Sequence, residues 1–281
     1  MEREEFLTQK PNNPFLRQYI SYYYFHTSTD LSFSKQFLYY PGYKNALTIY
    51  RKSKVSYATN YSCVSPSKVD NFIFLYSGVQ NQIRTAHMMA PFNKIGVVFR
   101  ELGINFFLPK PLSSISRDPI EKSFNFFGEP LIQACHKIYE QDSIEDKVNF
   151  LDAYFLRQYC GFEEKRLIAA VRFILTSEAK LSVSQIADSC HVSRKTLLRL
   201  FQKHVGCSVK AYVDIVQFRK SLDQYLLQSD KHSLTQIALS NDYYDQSQFI
   251  RHFKKLSGTN PVNFFRRVEQ FGKEDTYWTF V

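Results

Sequence analysis

A chain of 281 residues with a 44% hydrophobic share can bury packed cores, which excludes wholesale disorder and points to two domains. The formal charge of +10 favours an anionic partner, and 26 Phe and 19 Tyr favour aromatic-rich cores. No stretch reaches the roughly 18 apolar residues of a membrane span.

The opening Met1-Glu2-Arg3-Glu4-Glu5 leads into no apolar run, unlike a signal peptide. The five cysteines (Cys63, Cys135, Cys160, Cys190, Cys207) are dispersed, with no CxxC. A cytoplasmic protein with reduced thiols is the expectation.

Residues 1 to about 125 carry short β-branched and aromatic runs at 36–40, 46–50, 71–76 and 94–99. Pro41-Gly42, Ser65-Pro66 and Ser77-Gly78 punctuate them. Such spacing predicts a β barrel or sandwich. Two amphipathic helices follow, Glu129 to Tyr139 and Ser143 to Gln158. The second aligns Ile144, Val148, Leu151 and Phe155 in one stripe. That stripe must be buried. It packs either against its own β domain or against itself in a two-fold homodimer through residues 143–158.

Gly161 marks a stop, and from Glu163 onward everything reads helical. The predicted organisation is therefore α+β with two domains: 1–160, β-rich and then two helices, and 161–281, all-α. Residues 1–160 hold 18 Lys/Arg against 14 Asp/Glu, and residues 161–281 hold 18 against 12. The bias is local: Arg194 to Lys220 contains seven basic residues and one acid, Asp214.

The second half repeats itself. Ser184-Gln185-Ile186-Ala187 matches Thr235-Gln236-Ile237-Ala238. Leu197, Arg199, Phe201 and Gly206 match Phe249, Arg251, Phe253 and Gly258. The offset is 51 residues before the corner and 52 after it, so one extra residue lies around Asn241 to Tyr244. Each copy has the layout of a helix-turn-helix, at about 181–206 and 233–258, with Ser193 and Asp245 as caps of the second helix. The outward face of that helix carries Arg194, Lys195, Leu198 and Arg199 in one copy, and Gln246, Ser247, Ile250 and Arg251 in the other. Such faces suit the major groove of DNA. Ser208 to Gln228 reads as one connecting helix, about 32 Å long at 1.5 Å per residue. A DNA turn is about 34 Å, so one chain can fill two successive grooves.

Residues 163–271 resemble the AraC/XylS transcription regulators. The resemblance rests on Asp245-Gln246-Ser247-Gln248-Phe249, Phe253-Lys254-Lys255, Gly258, Pro261 and Arg266 at the family's spacing. One departure is visible: Asp242-Tyr243 stands where the family usually has Gly-Phe. Asp tolerates a left-handed turn, and Tyr replaces a buried Phe where its hydroxyl finds a partner.

The resemblance implies a sequence-specific DNA-binding transcription regulator with double-stranded DNA and RNA polymerase as partners. It assigns base contacts to Lys195, Leu198 and Arg199 in the first reading helix, and to Gln246, Ser247 and Arg251 in the second. Ser193, Arg194, Thr196, Lys203, Lys210, Lys254 and Lys255 are the phosphate-contact candidates. Val97-Val98-Phe99-Arg100-Glu101-Leu102-Gly103 with Pro111-Leu112 resembles the N-terminal domain of one AraC-type subgroup. That implies a cupin-like barrel used for sensing a small-molecule effector or for pairing.

The alternative is a cupin-type metalloenzyme with a helical appendage. Metal cupins need several His and a carboxylate converging on the barrel, and the strand region offers only His26 and His87. A DNA alkylation-repair protein would need a reactive cysteine cluster, and the first half has only Cys63, Cys135 and Cys160. No catalytic constellation, metal set or cofactor loop stands out, so a non-enzyme without cofactor is expected. Cys190 and Cys207 flank the first reading helix and are expected to be structural thiols rather than a redox switch.

Overall fold

A computed structural model describes residues 4–116, 120–121, 124–227, 236, 238, 243–272, 274 and 276–280. Two six-stranded sheets face each other. The first contains β1 (Glu5–Gln9), β2 (Ile20–Ser28), β4 (Ala46–Arg51), β7 (Phe72–Ser77), β9 (Phe92–Phe99) and β10 (Ile120–Glu121), in the antiparallel order β1-β2-β9-β4-β7-β10. The second contains β3 (Ser34–Tyr39), β5 (Ser53–Ala58), β6 (Tyr61–Pro66), β8 (Arg84–Met89), β11 (Glu269–Phe271) and β12 (Thr276–Phe280), in the order β11-β12-β3-β8-β6-β5. Only its β6–β8 pair is parallel among the described strands.

The predicted apolar runs correspond to β3, β4, β7 and β9. The aromatic strand β2 escaped the pattern because it is buried on nearly every residue and shows no alternation. The segment 269–280, expected to be helical, instead forms β11 and β12. Phe37, Leu38 and Tyr39 of β3 pair with Phe280, Thr279 and Trp278. Trp278 stacks on Phe37 at 4.6 Å between ring centres and is 4% exposed. The gain that overrides helical periodicity here is a sheet edge filled by aromatic cross-strand pairs.

Helices α1 (Gly128–Tyr139) and α2 (Ile144–Gln158) cover the outer face of the first sheet. Ser143 caps α2 by accepting from Asp146 N at 3.0 Å. The stripe of α2 settles inward: Val148, Leu151 and Phe155 are fully buried against Ile49, Val97 and Phe99 of the chain's own sheet. Of the two expected covers for that stripe, the one seen is the chain's own sheet. Only the opposite face of α2, with Phe150 and Leu156 exposed, remains accessible. Tyr23 Oη donates to buried Asp152 at 2.8 Å and ties α2 to β2.

The inner face of the first sheet meets the second sheet across an aromatic layer and a cavity. Gly96 of β9 lies between Tyr24 of β2 and Thr48 of β4 in the ladder. The Tyr24 ring lies over it, and Tyr24 and Thr48 share a 2.7 Å hydrogen bond. A Cβ at Gly96 would fall inside that ring.

Val148→Glu should unfold the N-terminal half rather than separate a dimer. An unpaired carboxylate would replace a side chain with no exposure, a change of about 4 kcal/mol or more. Thermal melting together with sedimentation checks this. A folded variant of reduced mass would contradict the packing described.

Candidate nucleic-acid interface

Five helices of the second half carry the predicted reading surface: α3 (Lys165–Thr176), α4 (Val183–Ser189), α5 (Arg194–His204), α6 (Val209–Leu227) and α7 (Gln246–Ser257). A short α8 (Pro261–Phe265) follows. Ser182 opens α4 with a capping box: its hydroxyl accepts from Gln185 N, and Gln185 Oε1 accepts from Ser182 N at 2.8 Å. Ile186 and Ala187 pack inward against Leu197 and Phe201 of α5. Small Ala187 lets the helices approach.

The corner is built alike in both copies. In the first, His191 takes a left-handed φ of +52° and Val192 N donates to Ala187 O at 3.0 Å. In the second, Tyr243 N donates to Ala238 O at 3.1 Å, 51 residues further along. Gln236 and Ala238 are helical. Thr235, Ile237, Asn241 and Asp242 lie outside the described residues, as does the start of the predicted motif at 233. The bond to Tyr243 assigns the extra residue of the second corner to Tyr244, which is 89% exposed. Its N–H donates to Gln248 Oε1 at 2.7 Å, so the insertion is absorbed within the cap of α7. The matched Gly206 and Gly258 both sit at positive φ, where a side chain would be strained.

The departure at Tyr243 is compensated. Its ring is buried beside Phe249, and its hydroxyl bonds His252 Nδ1 at 2.7 Å. Burial pushes His252 down to about 4, against the pull of Asp214 at 3.9 Å.

Both reading helices keep their outer faces open. On α5, Arg194, Lys195, Leu198, Arg199 and Lys203 are exposed, and Thr196 is half-buried. Ser193 is the helix cap, accepting from Thr196 N at 3.1 Å and donating to the Thr196 hydroxyl at 3.0 Å. On α7, Ser247, Arg251, Lys254 and Lys255 are exposed, Gln246 is half-buried, and Asp245 caps by accepting from Gln248 N at 2.6 Å. Neither helix contains an acid. Lys210 is exposed on the first turn of α6.

A depression joins Thr196, Arg199 and Lys203 to Arg166 of α3, with Glu164 also on its rim. Arg166 was missed in the sequence because the motif begins later, at Ser184. The basic run also misled in part: its last two members turn inward. Arg219 donates to Pro41 O at 2.6 Å and Tyr40 O at 3.2 Å, and Lys220 donates to Ser177 O at 2.6 Å.

Helix α6 runs for 19 residues, about 28 Å. Gln228 lies outside the described residues. Tyr212, Val213 and Val216 belong to the core of the first motif, and Phe218 and Leu222 to that of the second. The N-terminal half reaches both cores, through Val79 and Leu102 in the first and Tyr40 in the second.

A family profile described as a helix-turn-helix domain matches residues 186–267. Residues 186–267 form a helix-turn-helix domain. The Msm operon regulatory protein of Streptococcus mutans is 32% identical over 107 residues, 37% of this chain and 38% of that protein. A transcriptional regulator of Chromobacterium violaceum with an AraC-type DNA-binding domain overlays with a TM-score of 0.32 at 24% identity, covering 36% of this chain and 88% of that one. Vibrio cholerae ToxT overlays with a TM-score of 0.46 at 10% identity, covering 92% and 99%. The chain spans about four-tenths of the length of the first curated relatives it matches.

Among the described residues no group of three His, Cys, Asp or Glu side chains could hold a metal ion. His26 is buried against Glu4 at 2.9 Å and pushed down to about 4 by burial, while His87 bonds Ser34. All five cysteines are free thiols, and burial pushes Cys207 up to about 12, away from the reactive thiolate. No helix among the described residues is long and apolar enough to cross a membrane.

His252 gives the helix-turn-helix domain a pH dependence. Its folded value of about 4 lies below the ordinary 6.5. The unfolded chain therefore takes up a proton as pH falls through 6.5, and the folded one does not until about 4. Stability present above that window should be lost as pH falls across it. His26, also near 4, contributes in the same sense. His252→Gln should flatten the fall in melting temperature between neutral pH and about pH 4; an unchanged slope would count against this assignment.

Proposed function

We propose that this chain is a sequence-specific DNA-binding transcription regulator that inserts α5 and α7 into successive major grooves and responds to a small molecule through its N-terminal half. The observation that carries this reading is the pair of acid-free, outward-facing basic helices on matched, capped corners, joined by one buried helix. Lys195, Leu198 and Arg199 read bases in one groove, and Gln246, Ser247 and Arg251 in the next. Leu198 is apolar and exposed, and meets a thymine methyl. Arg194, Lys203, Lys210, Lys254 and Lys255 meet phosphates, with Arg166 added to them. Ser193 and Thr196 serve first as the cap of α5 and offer the backbone N–H groups of its first turn to a phosphate.

In this reading residues 1–160 form the sensing half and residues 161–281 the DNA-reading half, with β11 and β12 returned to the sensing half. The effector enters the cavity of about 210 Å³ between the sheets. A second copy docks on the outer face of α2, where Phe150 and Leu156 are exposed. RNA polymerase is the protein on which such a regulator acts, and the chain itself catalyses no reaction.

Selection of bound sites from a randomised DNA library tests the reading. Each Arg can bond a guanine edge in two places, about 1–3 kcal/mol of discrimination. Arg199→Ala should relax preference in one half of the site and Arg251→Ala in the other. Lys254→Ala should weaken all sequences alike and lower the salt slope by about one unit. If both Arg variants return the parental motif, the assignment of reading helices is wrong.

A further inference from the structure

The two corners differ by one residue, and that residue is an aromatic left in water. In the first corner Val192 leads straight into the cap Ser193; in the second, Tyr244 stands between Tyr243 and the cap Asp245. Of the large apolar side chains described, Tyr244 is the most exposed, at 89%. Among the described residues its side chain has neither a ring contact nor a hydrogen-bond partner.

The backbone beneath that ring is held from both sides. Tyr243 N–H is bonded to Ala238 O, its ring is buried, and its hydroxyl is bonded to His252 Nδ1. Tyr244 N–H donates to Gln248 Oε1 at 2.7 Å, and Asp245 accepts from Gln248 N at 2.6 Å. Any residue but proline would supply that N–H, so the fold draws nothing from the Tyr244 ring. An ordered chain therefore presents an uncovered aromatic, and little backbone freedom is lost when a partner covers it.

The surroundings select the partner. Asp245, Ser247 and Gln248 are exposed and polar, and no other large apolar side chain is exposed before Val262. An apolar protein surface would find one ring with no apolar neighbours, unlike the clustered anchors of such interfaces. A polyanion finds Arg251, Lys254 and Lys255 exposed on the same helix. At the helix start it finds a flat ring with a hydroxyl donor at its tip. The N-terminal end of a reading helix enters the groove, so the residue ahead of its cap lies at the groove edge, among sugars and phosphates. Tyrosine is one of the side chains that bond phosphate oxygens. The Asp245 carboxylate would repel a phosphate, but it is engaged by the first-turn N–H of Gln248, and the positive end of the helix dipole offsets it.

We propose that Tyr244 is a DNA-backbone anchor of the second reading head alone: its ring lies against a deoxyribose at the edge of the groove that α7 enters, and its hydroxyl donates to the adjoining phosphate. This rests on the proposed entry of α7 into a groove. Affinity of the full chain is measured for the duplex that site selection returns and for an unrelated duplex of equal length. Tyr244→Phe should weaken both about fivefold, the loss of one hydrogen bond at a wet surface. Tyr244→Ala should weaken both at least about twentyfold, because the ring contact goes too. The selected motif, the salt slope and the melting temperature should stay as in the parent, since the side chain reads no base, carries no charge and is not packed. Single uncharged methylphosphonates placed along the second half of the site locate the contact: at one position the Tyr244→Phe loss should shrink below about twofold.

Parental affinity in Tyr244→Ala overturns the proposal. A changed base preference overturns the backbone contact and makes the ring a base reader. A lowered melting temperature makes the ring part of the fold and overturns it as well. A Tyr244→Phe loss that persists at every substituted phosphate overturns the role of the hydroxyl. Arg251→Ala on the same duplexes separates this from the DNA reading. If Arg251→Ala relaxes the motif while Tyr244→Ala changes nothing, only the anchor fails; if Arg251→Ala returns the parental motif, the entry of α7 into a groove fails and the anchor with it.

Discussion

Ile215, Val216, Gln217 and Phe218 follow one another along α6, and all four are buried. Successive helical residues point about 100° apart, so this helix is enclosed on every side at its middle. The first motif, the second motif and the barrel each take a share of its surface. The contact with the barrel is apolar through Val79, Leu102 and Tyr40 and polar at Arg219, whose fork holds the carbonyls of Tyr40 and Pro41. It fits because Gly42 has no side chain there; an added Cβ would lie 2.9 Å from Arg219 Nη2. The spacing of the reading helices, the lining of the cavity and the docking of β12 all depend on where α6 lies.

The positive charge of the chain divides into two populations with different physics. Arg219, Lys220 and Lys94 point inward. Burial lowers Lys220 and pushes Lys94 down to about 7. Lys94 sits among the rings of Tyr24, Phe37, Tyr50 and Trp278, with Met88 Sδ at 3.2 Å. Such groups hold structure together and are unavailable to a polyanion. The cations of α5 and α7 stay in water, where their field reaches about a Debye length. Net charge alone does not separate the two populations.

Elements with a local cause were legible in the sequence. The caps at Ser193 and Asp245, the stripe of α2, the stop at Gly161 and the 51-to-52 offset each need only nearby residues. The structure narrowed that offset to Tyr244 and supplied the partner, His252, that the buried Tyr243 hydroxyl required. What stayed hidden depends on distant contacts. Thr276-Tyr277-Trp278-Thr279-Phe280 falls inside the run read as helical, because nothing nearby says that its partner lies near residue 38. Arg219 is indistinguishable from the DNA-facing cations until the carbonyl of Pro41 is beside it. The inward turn of the α2 stripe was likewise undecidable from periodicity, which shows that a face is covered and not by what.

The ladder between β3 and β12 joins residues some 240 positions apart. At a synthesis rate of about 5–20 residues per second, β3 leaves the ribosome tens of seconds or less before its partner exists. Throughout that interval the edge of the second sheet, with Phe37, Leu38 and Tyr39 on it, is open to any passing strand. Flanking Lys35 is the one charge on β3 that discourages such pairing. The nascent chain therefore has a built-in period of stickiness that ends only when the DNA-reading half has been made and returned its last strand to the barrel.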